Sequence, residues 1–142
     1  MFNCPLCKFV SGIFLFGVMT MGQAQALDTR WRLQVKNLKN QVKVEATIRF
    51  AAAPAAESCM GGNWKRVIVE STTAQDETFF PLVQLLAYEL ADGNVTLGRT
   101  TICDNYLFLS GKSKAKKIAG TFNAVSIGKS RKLGYFSLKR IQ

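Results

Sequence analysis

Strict alternation of apolar and polar residues constrains this chain more than any other feature. Val42, Val44, Ala46, Ile48 and Phe50 take every second position, with Lys43, Glu45, Thr47 and Arg49 between them. Trp31, Leu33 and Val35 alternate in the same way with Arg32, Gln34 and Lys36. A period of two belongs to a strand with one dry face and one wet face; on a helix the same residues would be scattered around the axis. Asn37-Leu38-Lys39-Asn40 between the two runs has the composition of a tight turn, so they are expected to form a hairpin. Further strands are predicted over 64–69, 85–90, 95–101, 106–110, 117–125 and 133–141. Asp92-Gly93 is a strong hairpin turn. Residues 51–63, with their alanines, Pro54, Cys59 and two glycines, read as a long loop, and 71–78 as a polar one.

About eight short strands with little room for helix point to an all-β fold, a small antiparallel meander barrel or, second, a β-sandwich. Gly98, Gly120 and Gly134 fall inside strands, where glycine marks a bend or a close approach, and three such bends favour the closed, coiled barrel. The chain divides into a predicted signal peptide, 1–26, and one domain, 27–142. An apolar run from Phe9 to Met21 ends in Ala24-Gln25-Ala26, a small-x-small cleavage pattern, and is too short to span a bilayer. Export to the bacterial periplasm or beyond is the expected destination, with no transmembrane segment in the exported part and no cysteine placed for a lipid anchor.

Cys4 and Cys7 would leave with the signal peptide, so their spacing carries no metal or redox meaning. Cys59 and Cys103 remain as an even pair in an oxidising compartment and are expected to be bonded. An up-and-down meander puts loops 91–94 and 112–116 at one end, and the loops holding Cys103 and residues 126–132 at the other. If the bridge draws loop 51–63 to that second end, turn 37–40 falls at the first. Lys39 should then crowd one rim with the lysines of 112–117, opposite Lys129, Arg131 and Lys132.

The chain has no histidine. That removes Ser-His-Asp and Cys-His catalysis, the usual proton shuttle near neutral pH and the commonest ligand of catalytic zinc. No metal or cofactor is expected, and the chain lacks a glycine-rich phosphate loop followed by a helix. A carboxylate pair hydrolysing cell-wall glycans is the remaining catalytic alternative, but Asp76-Glu77, Glu45, Glu70 and Asp104 all read as turn or outer-face residues.

Binding chemistry is better represented. Of the 19 Lys and Arg residues, 18 follow Ala26 together with all 9 Asp and Glu, a formal +9 for the exported part. Such a charge favours anionic partners. Lys112, Lys114, Lys116 and Lys117 form the densest run and are the candidate anion or partner site. No aromatic is interleaved there, which disfavours nucleic acid. Trp64, Phe108, Phe122 and Tyr135 are candidates to line a small apolar ligand inside the barrel, the last three by apparent inward phase. Gly62-Asn63-Trp64 resembles the Gly-x-Trp of lipocalin-type barrels, although there it opens the first strand and here it follows two; the tryptophan is expected to plug a barrel end. The expected function is non-enzymatic binding of a small apolar ligand or an anionic envelope component. A second reading is a protein–protein inhibitor or immunity module that occupies another protein's active site with loop 51–63, pinned by Cys59; an acidic protein surface is a further candidate partner of the basic chain.

Overall fold

In the computed structural model, residues 29–55 and 57–141 are described; the predicted signal peptide lies outside them. Eight antiparallel strands follow one another: β1 (Arg30–Asn37), β2 (Val42–Pro54), β3 (Lys65–Ala74), β4 (Leu86–Ala91), β5 (Asn94–Arg99), β6 (Asn105–Lys112), β7 (Lys117–Ser126) and β8 (Lys129–Arg140). Each pairs with the next, and β8 returns to pair with β1, so the sheet is a closed meander barrel and not a sandwich.

The alternation decides which side faces in. Trp31, Leu33 and Val35 of β1, Val44, Ala46, Ile48 and Phe50 of β2, and Phe136 and Leu138 of β8 all lie in one buried core. Their polar neighbours point outward. A membrane-spanning barrel has the reverse pattern, an apolar band outside and a polar interior. Hydrogen-bonded partners traced from Asn37 pass through Gly134, Phe122, Leu109, Leu97, Tyr88 and Lys65 to Pro54. That residue is at the far end of β2 from Val42, the partner of Lys36. So large a stagger tilts the strands strongly. Glycine makes the close coiling possible: a Cβ on Gly134 would strike the carbonyl of Lys36, and one on Gly98 that of Leu107.

Strand lengths depart from the sequence reading at three places. The predicted loop 51–63 loses its first four residues to β2, which runs on to Pro54 and pairs there with Lys65. Ser71, Thr72 and Thr73 extend β3 as far as Ala74 instead of forming a loop, because Ser71 and Thr72 pair with Thr47 and Ala46 of β2. The predicted loop 126–132 shrinks to Ile127-Gly128, since Lys129 to Lys132 pair with Ser126 to Asn123. At Asp92-Gly93 the expected tight turn forms, with φ of 51° and 74° at its two central residues.

Antiparallel parity assigns the loops to two ends. Loops 38–41, 75–85, 100–104 and 127–128 share the upper end; 55–64, 92–93 and 113–116 share the lower. Lys39 therefore lies at the same end as Lys129, Arg131 and Lys132, not with the lysines of 112–117. The expectation failed because the disulfide does not draw its two loops to one end. Cys59 and Cys103 are bonded, with Cα atoms 5.3 Å apart, but loop 55–64 doubles back along the outside of the barrel to reach the upper loop. The Cys59 amide donates to the Thr100 carbonyl at 2.8 Å and holds it there.

Between β3 and β4 only Lys65↔Tyr88 and Arg66↔Ala87 pair. Segment 75–85 folds in above this short seam and seals the upper end with Phe79, Phe80 and Leu82. Carboxylates shape it: Asp76 accepts from the Thr78 hydroxyl at 2.7 Å and the Phe79 amide at 3.1 Å, and Glu77 from the Leu82 amide at 3.1 Å.

Candidate functional site

The four aromatic residues proposed from sequence do not share a cavity. Phe122 is fully buried inside, with Phe79 and Phe80 edge-on to its ring at 5.1 and 5.5 Å. Phe108 lies between inward-facing Leu107 and Leu109 and therefore points out. Tyr135 is likewise on the outer wall, 37% exposed, with the Lys132 ammonium 3.9 Å above its ring. Counting alternation from one end of a strand misplaced these two. A register shift between Phe122 and Asn123 offsets the phases of β7 and β8, and Phe108 is apolar although its side faces out.

Trp64 is not an end plug either. It stacks flat on Phe108 at 5.8 Å, and Phe108 stacks on Tyr106 at 5.4 Å. Ala87, Gly98 and Phe108 form one cross-strand row on the outside of β4, β5 and β6, and the two small residues leave a slot that the indole covers. This second apolar cluster anchors loop 55–64 to the wall. Inside, Trp31, Leu33, Ile48, Phe50, Leu97, Leu109 and Leu138 show no more than 1% of their surface, so no void of ligand size separates them.

Most carboxylates have structural partners. Arg30 and Arg49 both bind Glu70, at 2.7 and 3.4 Å, and hold its carboxyl below the ordinary glutamate range. Glu45 accepts from the Gln34 amide and the Thr73 hydroxyl, which lower its pKa. Asp76, lowered chiefly by the Thr78 hydroxyl, is also 3.8 Å from Lys43. Glu89 caps the amide of Asn63 at 2.9 Å. Among the described residues no group of three His, Cys, Asp or Glu is placed to hold a metal ion. Arg99 points inward, 8% exposed; it donates to the Gln84 side chain at 3.0 Å and to the Asn105 carbonyl at 2.7 Å, which ties segment 75–85 to β6.

The charged surface is far less even. From Asn105 to Ile141 the chain has nine Lys or Arg and no Asp or Glu, and from Arg30 to Gln41 four and none. These segments form β6, β7, β8 and β1, and the pairing of β8 with β1 joins them into one continuous half of the wall. Of these thirteen bases only Arg30 forms an ion pair among the described residues. Arg32, Lys139 and Lys117 are direct cross-strand neighbours in a single outward row. Like charges placed opposite one another oppose pairing, so this row costs stability. Lys112, Lys114, Lys116 and Lys117, the run selected from sequence, are all exposed at the lower edge of this half. Their turn is fastened on both sides, by Ser113 to the Gly93 carbonyl at 2.9 Å and by Arg140 to the Lys116 carbonyl at 3.2 Å.

Two open grooves lie on the same half. One, of about 560 Å³, is lined by Lys129 and Arg131 with Asn105, Val125 and Ser126 near the upper end. The other, of about 430 Å³, is lined by Thr29, Lys116, Arg140 and Ile141 at the lower end. Sequence reasoning found the 112–117 lysines but not Arg32, Lys139 and Arg140 as their neighbours. A signal did exist, the complete lack of acids in two separate segments, but only barrel closure makes them adjacent. No protein-family model, curated protein or solved structure matches the chain.

Proposed function

We propose that the protein is an exported, non-enzymatic binder of an anionic component of the bacterial envelope, and that it binds through the acid-free half of its barrel. The observation that carries this reading is the row Arg32–Lys139–Lys117 within a four-strand surface that contains no carboxylate. Repulsion within that row is relieved when an anion lies across it, so the surface gains more from a negative partner than scattered lysines would. The packed interior leaves an apolar small molecule without a place, and Glu45, Glu70, Asp76, Glu77 and Glu89 are engaged in turns, caps and ion pairs. Of segment 51–63, residues 51–54 belong to β2 and Cys59 is fastened to Cys103 on the barrel's own wall, which gives little support to its use as a plug for another protein's active site.

Soluble dextran sulfate is a suitable probe. Affinity should fall steeply between low and physiological salt, because the screening length shortens from about 30 Å at roughly 0.01 M to about 8 Å at roughly 0.15 M. Charge reversal of the row (R32E/K117E/K139E) should weaken binding by about tenfold or more at low salt. Reversal of Lys65 and Arg66, on the far side of the barrel, should change it little. Equal losses from both variants would reduce the acid-free half to a contributor of net charge alone and overturn the reading.

A further inference from the structure

The two ends of the barrel differ in a way the charge does not explain. All four loops of the upper end expose a large aliphatic residue: Leu38 at 58%, Val83 at 77%, Ile102 at 40% and Ile127 at 78%. Val42 and Leu85, also exposed, adjoin the same loops. Among the described residues, the three loops of the lower end themselves expose no large hydrophobic side chain, and Leu90, 44% exposed near the end of β4, is the one that adjoins them. Exposed aliphatics scattered over a surface need no explanation, but their collection on the turns of one end does.

Cations accompany them. Lys39 follows Leu38, and Lys129, Arg131 and Lys132 stand behind Ile127. The β7–β8 hairpin also projects past the last β1–β8 pair, Asn37↔Gly134, so its β8 edge, with Lys129, Arg131 and Lys132, has no strand beside it while β7 stays paired with β6 up to Ser126. The groove lined by Lys129 and Arg131 opens on this hairpin. Four acids share this end. Asp76 and Glu77 are turned into backbone amides of segment 75–85, and Asp104 is exposed beside Cys103. Glu57, exposed beside Leu85 and Thr101, lies on the side away from the β7–β8 hairpin.

We propose that this upper end docks on an anionic lipid bilayer without crossing it. Leu38, Val83, Ile102 and Ile127 enter the boundary between headgroups and acyl chains, and Lys39, Lys129, Arg131 and Lys132 lie on the lipid phosphates. A bilayer suits this surface better than a protein partner for a geometric reason. The aliphatics are spread over four turns around an end already sealed by Phe79, Phe80 and Leu82, and none of them lines the groove of Lys129 and Arg131, so they form no continuous apolar trough for a helix or a strand. A fluid interface accepts separate tips, and the basic collar matches the charge of anionic headgroups. The inference rests on the reading of the acid-free half as an anion-binding surface and names the lipid phosphate as its partner at this end.

The test uses the exported chain with three probes: vesicles of phosphatidylglycerol and phosphatidylcholine, vesicles of phosphatidylcholine alone, and dextran sulfate. The tips are exposed, so L38S/I127S should fold as the parent does, which circular dichroism checks. The parent should bind the anionic vesicles and leave the zwitterionic ones unbound. The double variant should lose about tenfold or more of its vesicle affinity while binding dextran sulfate as before. In I127W, brominated lipid should quench the added fluorescence, whereas K114W at the opposite end should be unaffected. Vesicle binding by L38S/I127S equal to the parent's would overturn docking through the tips and leave the anionic reading in place. The same conclusion follows if the parent binds dextran sulfate but no vesicles. Failure to bind either anionic probe would overturn both.

Discussion

At the scale of single residues, carboxylates act as structural ligands. Asp76 is the clearest case: the Thr78 hydroxyl, the Phe79 amide and Lys43 all favour its ionised form. Glu45 and Glu70 are lowered in the same way by Gln34 and by Arg30. A carboxyl whose folded pKa is depressed contributes stability that is complete above its unfolded value, near about 4, and is lost as pH falls through the folded value. With no histidine in the chain, little should change between about pH 5 and 8. The expected melting temperature is therefore level across that range and drops in acid. Asp76→Asn should lower it at pH 7 and shrink the acid drop; a midpoint that climbs as pH falls below 5 would contradict these assignments.

At the scale of elements, the instructive segment is loop 55–64. Its composition identified a loop and its cysteine identified a bridge, but nothing local showed that it would lie along the outside of β4, β5 and β6. That placement comes from Ala87 and Gly98, which make room, and from Phe108, which supplies a flat partner for Trp64. Trp64→Ala should cost about 3 kcal/mol, the usual loss for a buried aromatic, as read from denaturant midpoints. Reduction of Cys59–Cys103, which closes a separation of 44 residues, should cost about 4 kcal/mol on the chain-entropy model. Because both restrain one loop, the two losses should not add when combined; strict additivity would show that the indole and the bridge stabilise unrelated parts.

At the scale of the whole molecule, stability and the proposed function pull in opposite directions. Lys117 and Lys139 face each other across β7 and β8, and Arg32 faces Lys139 across β8 and β1. Replacing the repulsion at one end of that row with an attraction, in Lys117→Glu, should raise stability by about 0.2–1 kcal/mol. The same change should weaken polyanion binding. A variant that is both less stable and less able to bind would indicate an ordinary structural lysine instead.

Much of the barrel was legible in the residues themselves. Period-two alternation is a local property, so Trp31 to Lys36 and Val42 to Phe50 declared their strands and their inner faces without reference to the rest of the chain. Turn chemistry is local as well, and Asp92-Gly93 formed as expected. The eight-strand count and the pairing of Cys59 with Cys103 followed from the same reading. Phase beyond a bulge was not legible, because one extra residue in β8 reverses every later face and turns Tyr135 outward. Nor did the sequence decide which loops neighbour one another, and the disulfide misled by joining opposite ends. Most important for the site, the acid-free stretches 30–41 and 105–141 are visible in the chain as two separate facts. Closure of β8 onto β1, a contact between residues about a hundred positions apart, is what turns them into one surface.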